Sequence, residues 1–154
     1  MIFSALVESI FLYNSEIWTL TKKLELEIDV FQRKLLRCVM GYRYTEDRTL
    51  WPSNNELYRK TKQTPWSVKI SKRRIIFFGH ICRLPEETPA KIALNEAIRK
   101  TKRPRGKPRT TYIKVIEIQL KERNINNIEE AINIAQNRQI WREITLGQSS
   151  SSCG

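Results

Sequence analysis

Aspartate is nearly missing from this chain, whose 154 residues hold only Asp29 and Asp47. Metal-dependent polymerases and nucleases gather carboxylates around paired cations, and two isolated aspartates, one on an expected helix and one in an expected loop, form no such cluster. The adjacent acid pairs Glu46-Asp47 and Glu86-Glu87 lie in polar connectors and read as solvated. Histidine is rarer still. The single His80 has no nearby Ser or Cys with an orienting acid, so no hydrolytic triad is recognisable. Two residues from Cys82 on a helix, it points about 200° away from that thiol, so the two cannot share a metal ion. The sequence thus offers no catalytic residue, no metal site and no cofactor. Its three cysteines, Cys38, Cys82 and Cys153, are odd in number and widely spaced. That argues against a disulfide framework and predicts a reducing compartment, nuclear or cytoplasmic. No apolar run approaches the roughly 20 residues of a membrane span. The apolar start MIFSALVESIFLY lacks a basic n-region, carries Glu8 and shows no convincing small-residue cleavage site, so neither secretion nor a membrane partner is expected.

What the chain does have is positive charge, and it is polarised. Residues 1–58 carry 7 basic and 8 acidic side chains, residues 59–109 carry 16 and 3, and residues 110–154 carry 5 and 5. The whole formal +12 therefore resides in the middle third. Within it, Arg99 to Arg109 (RKTKRPRGKPR) places seven Lys or Arg in eleven residues with no acid among them. A merely solubilising surface spreads and mixes its charge, whereas displacement of counterions from a polyanion rewards clusters. RNA or DNA is the expected partner; a solvated linker or an import signal is the plain alternative for such a run.

Apolar periodicity is helical almost throughout, with Gly and Pro between the periodic runs, which predicts an all-α fold: an irregular bundle of about five to six helices with an extended basic Pro/Gly segment. The first run, Ile2 to about Tyr13, is apolar on most sides and reads as a helix that expects to be packed by something else. Thr21 caps a second, striped by Leu24, Ile28, Phe31, Leu35 and Val39 and closed by Gly41 at C′. After a loop from Tyr42 to Pro52, Ser53 with Glu56 starts a short helix through Arg59 to Lys62. Pro65 precedes a helix from Trp66 to Arg83, with Trp66, Ile70, Phe77, Ile81 and Leu84 on one sector and Lys69, Lys72, Arg73, Ile76, His80 and Arg83 on another. Pro85 and Pro89 break the chain before a short helix from Lys91 to about Ile98. The basic run is extended, because residues preceding Pro104 and Pro108 are pushed out of helical geometry. Thr110 or Thr111 restarts a helix over Tyr112, Val115, Ile116 and Leu120. Asn127 with Glu130 caps a last one, Ile128 to about Ile144, with Ile128, Ala131, Ile132, Ala135 and Trp141 inward. Gly147 onward reads as a disordered tail.

Phosphate contacts are accordingly assigned to Lys69, Lys72, Arg73, His80 and Arg83 on the helix and to Arg103, Arg105, Lys107 and Arg109 in the extended run; for His80 a packing role is the alternative. The helix from Ser53, its turn and the helix from Trp66 resemble a helix-turn-helix in outline, a generic arrangement that leaves base reading open. Trp18, Trp66 and Trp141 read as core anchors, and Trp51 is undecided.

Four ordered phrases are similar to the region that follows the polymerase active site in endonuclease-reverse transcriptases of non-LTR (LINE-like) retrotransposons. FLYNSEIWTLTKKLELEIDVFQRKLLRCVMGY resembles a pattern like LLYGSETWTLTKK…LxxFxxxxLRxxLG; KRRIIFFGHICRLP resembles RRRLxWFGHxxRxP; RPRGKPRTTYIKVI resembles RGRPRxxW; and AINIAQNRQIWREIT resembles A…AxDRxxWRxxv. Asn14 stands where Gly is usual, the neighbourhood of Phe78 reads FFGH where WFGH is common, and Tyr112 stands where Trp is usual. The match spans nearly residues 2–146. It implies an end of the polymerase thumb at 1–41, a helical domain with the basic helix at 42–98, a basic linker at 99–110, a helical pair at 111–146 and a tail at 147–154. It also implies that the catalytic domains lie upstream, so that Met1 is an internal start and the upstream polymerase domain is a partner. The function implied is a non-catalytic fragment of an RNA-directed DNA polymerase that binds template RNA or target DNA by its backbone. A stand-alone helix-turn-helix protein and an inert, poorly folding relic are the alternatives.

Overall fold

A computed structural model of the chain describes residues 3–42, 51–99 and 110–146. The fold is all-α. A π-helical turn, Ser4–Glu8, runs into α1 (Ser9–Phe11), and a short 3-10 turn follows at Ser15–Ile17. Then come α2 (Lys22–Val39), α3 (Asn54–Thr61), α4 (Trp66–Cys82), α5 (Pro89–Arg99), α6 (Tyr112–Lys121), α7 (Ile128–Gln136) and α8 (Arg138–Leu146), with no strand among the described residues. The chain divides into two compact units, Leu20–Ile70 and a larger one made of Met1–Thr19 with Ser71–Gly154.

In the smaller unit the expected caps form. Thr21 accepts from the Leu24 amide and Ser53 from the Glu56 amide. Helix α2 closes in a Schellman motif, where Tyr42 N–H donates to the Arg37 carbonyl at 2.9 Å and Gly41 N–H to that of Cys38 at 3.0 Å, with Gly41 at φ 79°. The same motif ends α3 on Lys62, at φ 52°, where a side chain is strained and glycine would be free.

The buried face of α2 is not the stripe the spacing predicts. Leu24, Phe31 and Val39 are exposed, and the buried side chains are Gln32 and Leu36, so the packed face is turned by about 90°. Hydrogen bonding is the reason. Pro65 has no N–H, and the first amides of α4 need acceptors. Gln32 Oε1 accepts from Trp66 N–H at 2.9 Å, and Asp29 accepts from the Ser67 amide at 2.9 Å and the Ser67 hydroxyl at 2.6 Å. Gln32 Nε2 in turn donates to the Thr64 carbonyl at 2.9 Å. Two side chains of α2 thus cap α4, one of them anionic at the positive end of the helix dipole. Replacing Gln32 by Leu orphans the buried Trp66 amide, while the carbonyl of Thr64, an exposed residue, can turn to water. We expect a loss of about 1–3 kcal/mol, read by urea denaturation, from one buried unsatisfied amide.

The larger unit has an apolar core of Ile75, Phe78, Ile81, Cys82, Leu94, Ile116, Leu120, Ile125, Ala131, Ala135 and Trp141. Helix α5 begins at Pro89, two residues before the expected start at Lys91, because a proline at the first helical position gives up an amide that had no partner anyway. Thr111 caps α6 through the Lys114 amide, and Asn124, at φ 61°, ends it. The expected single helix from Ile128 to Ile144 is two. Asn137 breaks it: its Oδ1 accepts from the amides of Gln139 and Ile140 at 3.0 and 3.2 Å and starts α8 afresh. Asn14 takes the left-handed conformation at φ 54°, and the segment around it leaves Leu6, Ile10 and Tyr13 61, 77 and 73% exposed while Phe3 and Leu12 are buried.

Candidate nucleic-acid interface

Helix α4 carries no acid between Trp66 and Cys82. Of the cations assigned to it, Lys69 belongs to the smaller unit, where its partly buried ammonium donates to Gln63 Oε1 at 3.0 Å. Lys72, Arg73, His80 and Arg83 belong to the larger unit. Arg73 and His80 are exposed, Lys72 and Arg83 partly so, and Ile76 between them is exposed as well. These five recur at helical spacing on one sector, and Lys72 to Arg83 covers about 16 Å of axis. The ring of His80 tilts against Phe77, with 6.4 Å between centroids.

Two of the arginines are held by carbonyls. Arg73 donates to the Leu12 carbonyl, and Arg83 Nη1 donates to that of Ala135 at 2.7 Å. A neutral acceptor fixes the guanidinium without cancelling its charge, and one bond leaves most of its five N–H donors for other acceptors. Among the described residues none of Lys72, Arg73 and Arg83 forms an ion pair. Arg103, Arg105, Lys107 and Arg109 lie outside the described residues.

Two cationic residues outside the expected set, Arg74 and Lys91, are taken into the interior. Arg74 is wholly buried and donates to the Trp18 carbonyl at 2.7 Å. The signal was present, since Arg74 follows Ile70 by four and precedes Ile81 by seven, on the apolar sector itself. Lys91, also buried, donates to the Cys82 carbonyl at 2.8 Å, and Gln136 donates to the same oxygen at 3.1 Å. Cationic and amide donors at the last carbonyls of α4 satisfy the negative end of its dipole.

The tryptophans divide as expected in part. Trp66 and Trp141 are buried, and Trp18 is partly exposed, edge-on to Phe11 at 6.0 Å. Trp51 is also half-buried, with the Arg37 guanidinium 5.4 Å above its ring, a cation–π contact. Gly79 and Trp141 meet so closely that a Cβ on Gly79 would lie 2.0 Å from the indole Nε1, which donates to the Ile75 carbonyl at 3.2 Å. Among the described residues no group of three His, Cys, Asp or Glu is placed to hold a metal, and no helix is long and apolar enough to cross a membrane.

Two buried groups set an alkaline limit on the larger unit. Burial pushes the Cys82 thiol from 9.0 up to about 11, against the pull of Lys91 and Arg83, and the Tyr112 phenol from 10.0 up to about 12, against that of Arg74. The Tyr112 hydroxyl has no hydrogen-bond partner among the described residues. Each group's neutral form is favoured by folding, so its contribution is intact below the ordinary pKa and is lost as pH rises through the shifted one. Thermal unfolding scans should show Tm falling from about pH 9 to pH 12, and Tyr112→Phe should flatten the upper part of that fall.

No protein-family model matches the chain, and neither a curated protein nor a solved structure does.

Proposed function

We propose that this chain is a non-catalytic nucleic-acid-holding module, equivalent to the end of the thumb and the post-thumb region of a non-LTR retrotransposon reverse transcriptase, which grips RNA or DNA through backbone phosphates. The observation that carries the reading is the sector of α4 bearing Lys72, Arg73, His80 and Arg83, whose arginines are pinned by carbonyls while their charges stay uncompensated by acids among the described residues. The acid-free run from Arg99 to Arg109 adds seven cations. A parent polymerase that primes on nicked target DNA must retain template, growing strand and target together. Contacts to sugar and phosphate serve that need because they position without reading sequence.

Further support comes from the places where the sequence departs from the resembled pattern. Asn14 occupies the usual glycine position in the left-handed conformation that asparagine tolerates best after glycine. The exposed stripe of Leu6, Ile10 and Tyr13 is a surface that an upstream polymerase domain would cover. Base reading by a helix-turn-helix is disfavoured by the start of α4. Recognition helices present their N-terminal residues to base edges, whereas here Trp66 is wholly buried and the first amides are taken by Gln32 and Asp29.

Fluorescence anisotropy with labelled duplex DNA, RNA–DNA hybrid and single-stranded RNA, each challenged with unlabelled competitors of unrelated sequence, tests the reading. Backbone binding predicts displacement by any competitor of the same strand type. Retention of one duplex against a large excess of random duplex would establish a sequence-specific regulator instead.

A further inference from the structure

We propose that α8 supplies a second row of phosphate contacts, Arg138 and Arg142, beside the cationic sector of α4, making the interface a two-helix surface; this rests on the nucleic-acid reading above. The break at Asn137 carries the argument. Were α7 and α8 one continuous helix, Arg142 would lie within about 20° of Ala135 and about 20° of Ala131, on the face that is buried, and Trp141 would point about 120° away from it. The chain instead stops α7 at Gln136 and starts α8 at Arg138, with Asn137 Oδ1 as the new cap. Trp141 then turns inward onto Gly79 and the Ile75 carbonyl, and Arg138 and Arg142 are both exposed. The register change is what keeps two guanidinium groups out of the core.

The place where α8 lands matters as much as its rotation. The Ile75–Gly79 edge of α4 adjoins Lys72, Ile76 and Arg83 on the helix surface, one residue position around the axis. Arg138 and Arg142 stand three residues before and one after the indole that marks the crossing. Packed helices run 8–10 Å apart, so cations from both helices fall within reach of one nucleic-acid backbone. Among the described residues neither Arg138 nor Arg142 forms an ion pair. Arg83, tied to Ala135 at the end of α7, bridges the same two parts of the unit.

The test is the salt dependence of binding for R138Q/R142Q, with K22Q/K23Q as a control that removes the same formal charge from lysines already paired with Glu25 and Glu27. Both pairs of positions are exposed, and circular dichroism and Tm confirm that each variant folds. Using a labelled duplex, we expect the slope of log K against log salt to shrink by nearly 2 for R138Q/R142Q, about 0.9 per lost contact, and to stay unchanged for K22Q/K23Q. A wild-type slope near zero would overturn the nucleic-acid reading itself. A steep wild-type slope that R138Q/R142Q leaves unchanged, or that both variants reduce equally, would overturn the α8 contacts alone.

Discussion

Gly79→Ala should abolish the native packing of the larger unit. A methyl group there meets Trp141 at 2.0 Å from Nε1, 2.5 Å from Cδ1 and 2.6 Å from Cε2, and the indole is a rigid plane, so there is no flexible end to move aside. Relief requires α8 to withdraw, which breaks the Trp141 bond to the Ile75 carbonyl and opens the contact between Phe78 and Trp141, whose rings are 5.9 Å apart. Removing a buried aromatic costs about 3–5 kcal/mol, and forced expulsion of this one approaches that figure. With a shift of about 4–8 °C per kcal/mol for a unit of this size, Tm should drop by at least about 12 °C. Trp141→Ala should fall by a comparable amount, since it loses the same contacts and leaves a cavity. Trp141→Phe keeps one ring but loses the hydrogen bond and part of the buried indole, so it should fall between wild type and Trp141→Ala, by about 1–3 kcal/mol. A Gly79→Ala protein within a few degrees of wild type would mean that α8 does not lie on α4 as described.

That contact also shows where sequence reasoning succeeds and where it stops. Helix positions follow from apolar spacing and from caps with side-chain chemistry of their own: Thr21 and Ser53 start the helices expected of them, and of the two candidates Thr110 and Thr111 it is Thr111 that caps α6. Gly41 ends α2 for the same kind of local reason. The left-handed ends at Lys62 and Asn124 were not anticipated, because lysine has no preference for that conformation and asparagine competes with many other uses. The packed face of α2 differs from its apolar stripe because its orientation is decided by acceptors for the amides of another helix, a pairing between residues 29–32 and 66–67 that periodicity within α2 cannot express. The split at Asn137 is similar: a cap inside an apolar pattern is visible only once Trp141 is known to sit on Gly79. For the candidate interface, the cationic sector of α4 was legible from helical spacing. That Arg74 is interior is legible too, from its place among Ile70 and Ile81 on the apolar sector.

The second large effect concerns binding, and it depends on salt more than on sequence. Each phosphate neutralised on duplex DNA releases condensed counterions and contributes about −0.9 to the slope of log K against log salt. About six contacts drawn from Lys69, Lys72, Arg73, Arg83 and the run from Arg103 to Arg109 give a slope near −5, equivalent to roughly a thousandfold loss of affinity between 50 and 200 mM salt. Replacing Arg103, Arg105, Lys107 and Arg109 by Gln should reduce that slope by about 0.9 for each of them that contacts a phosphate, leaving the share of the helical cations. Tm measured alongside separates lost contacts from lost folding.

The most direct measurement is therefore the affinity of the unaltered chain for a labelled duplex across 50–200 mM salt. A slope near −5 that the four-residue replacement flattens, with equal affinity for duplexes of unrelated sequence, is the predicted result. A slope near zero would contradict the claim that the cations of the middle third engage a sugar-phosphate backbone.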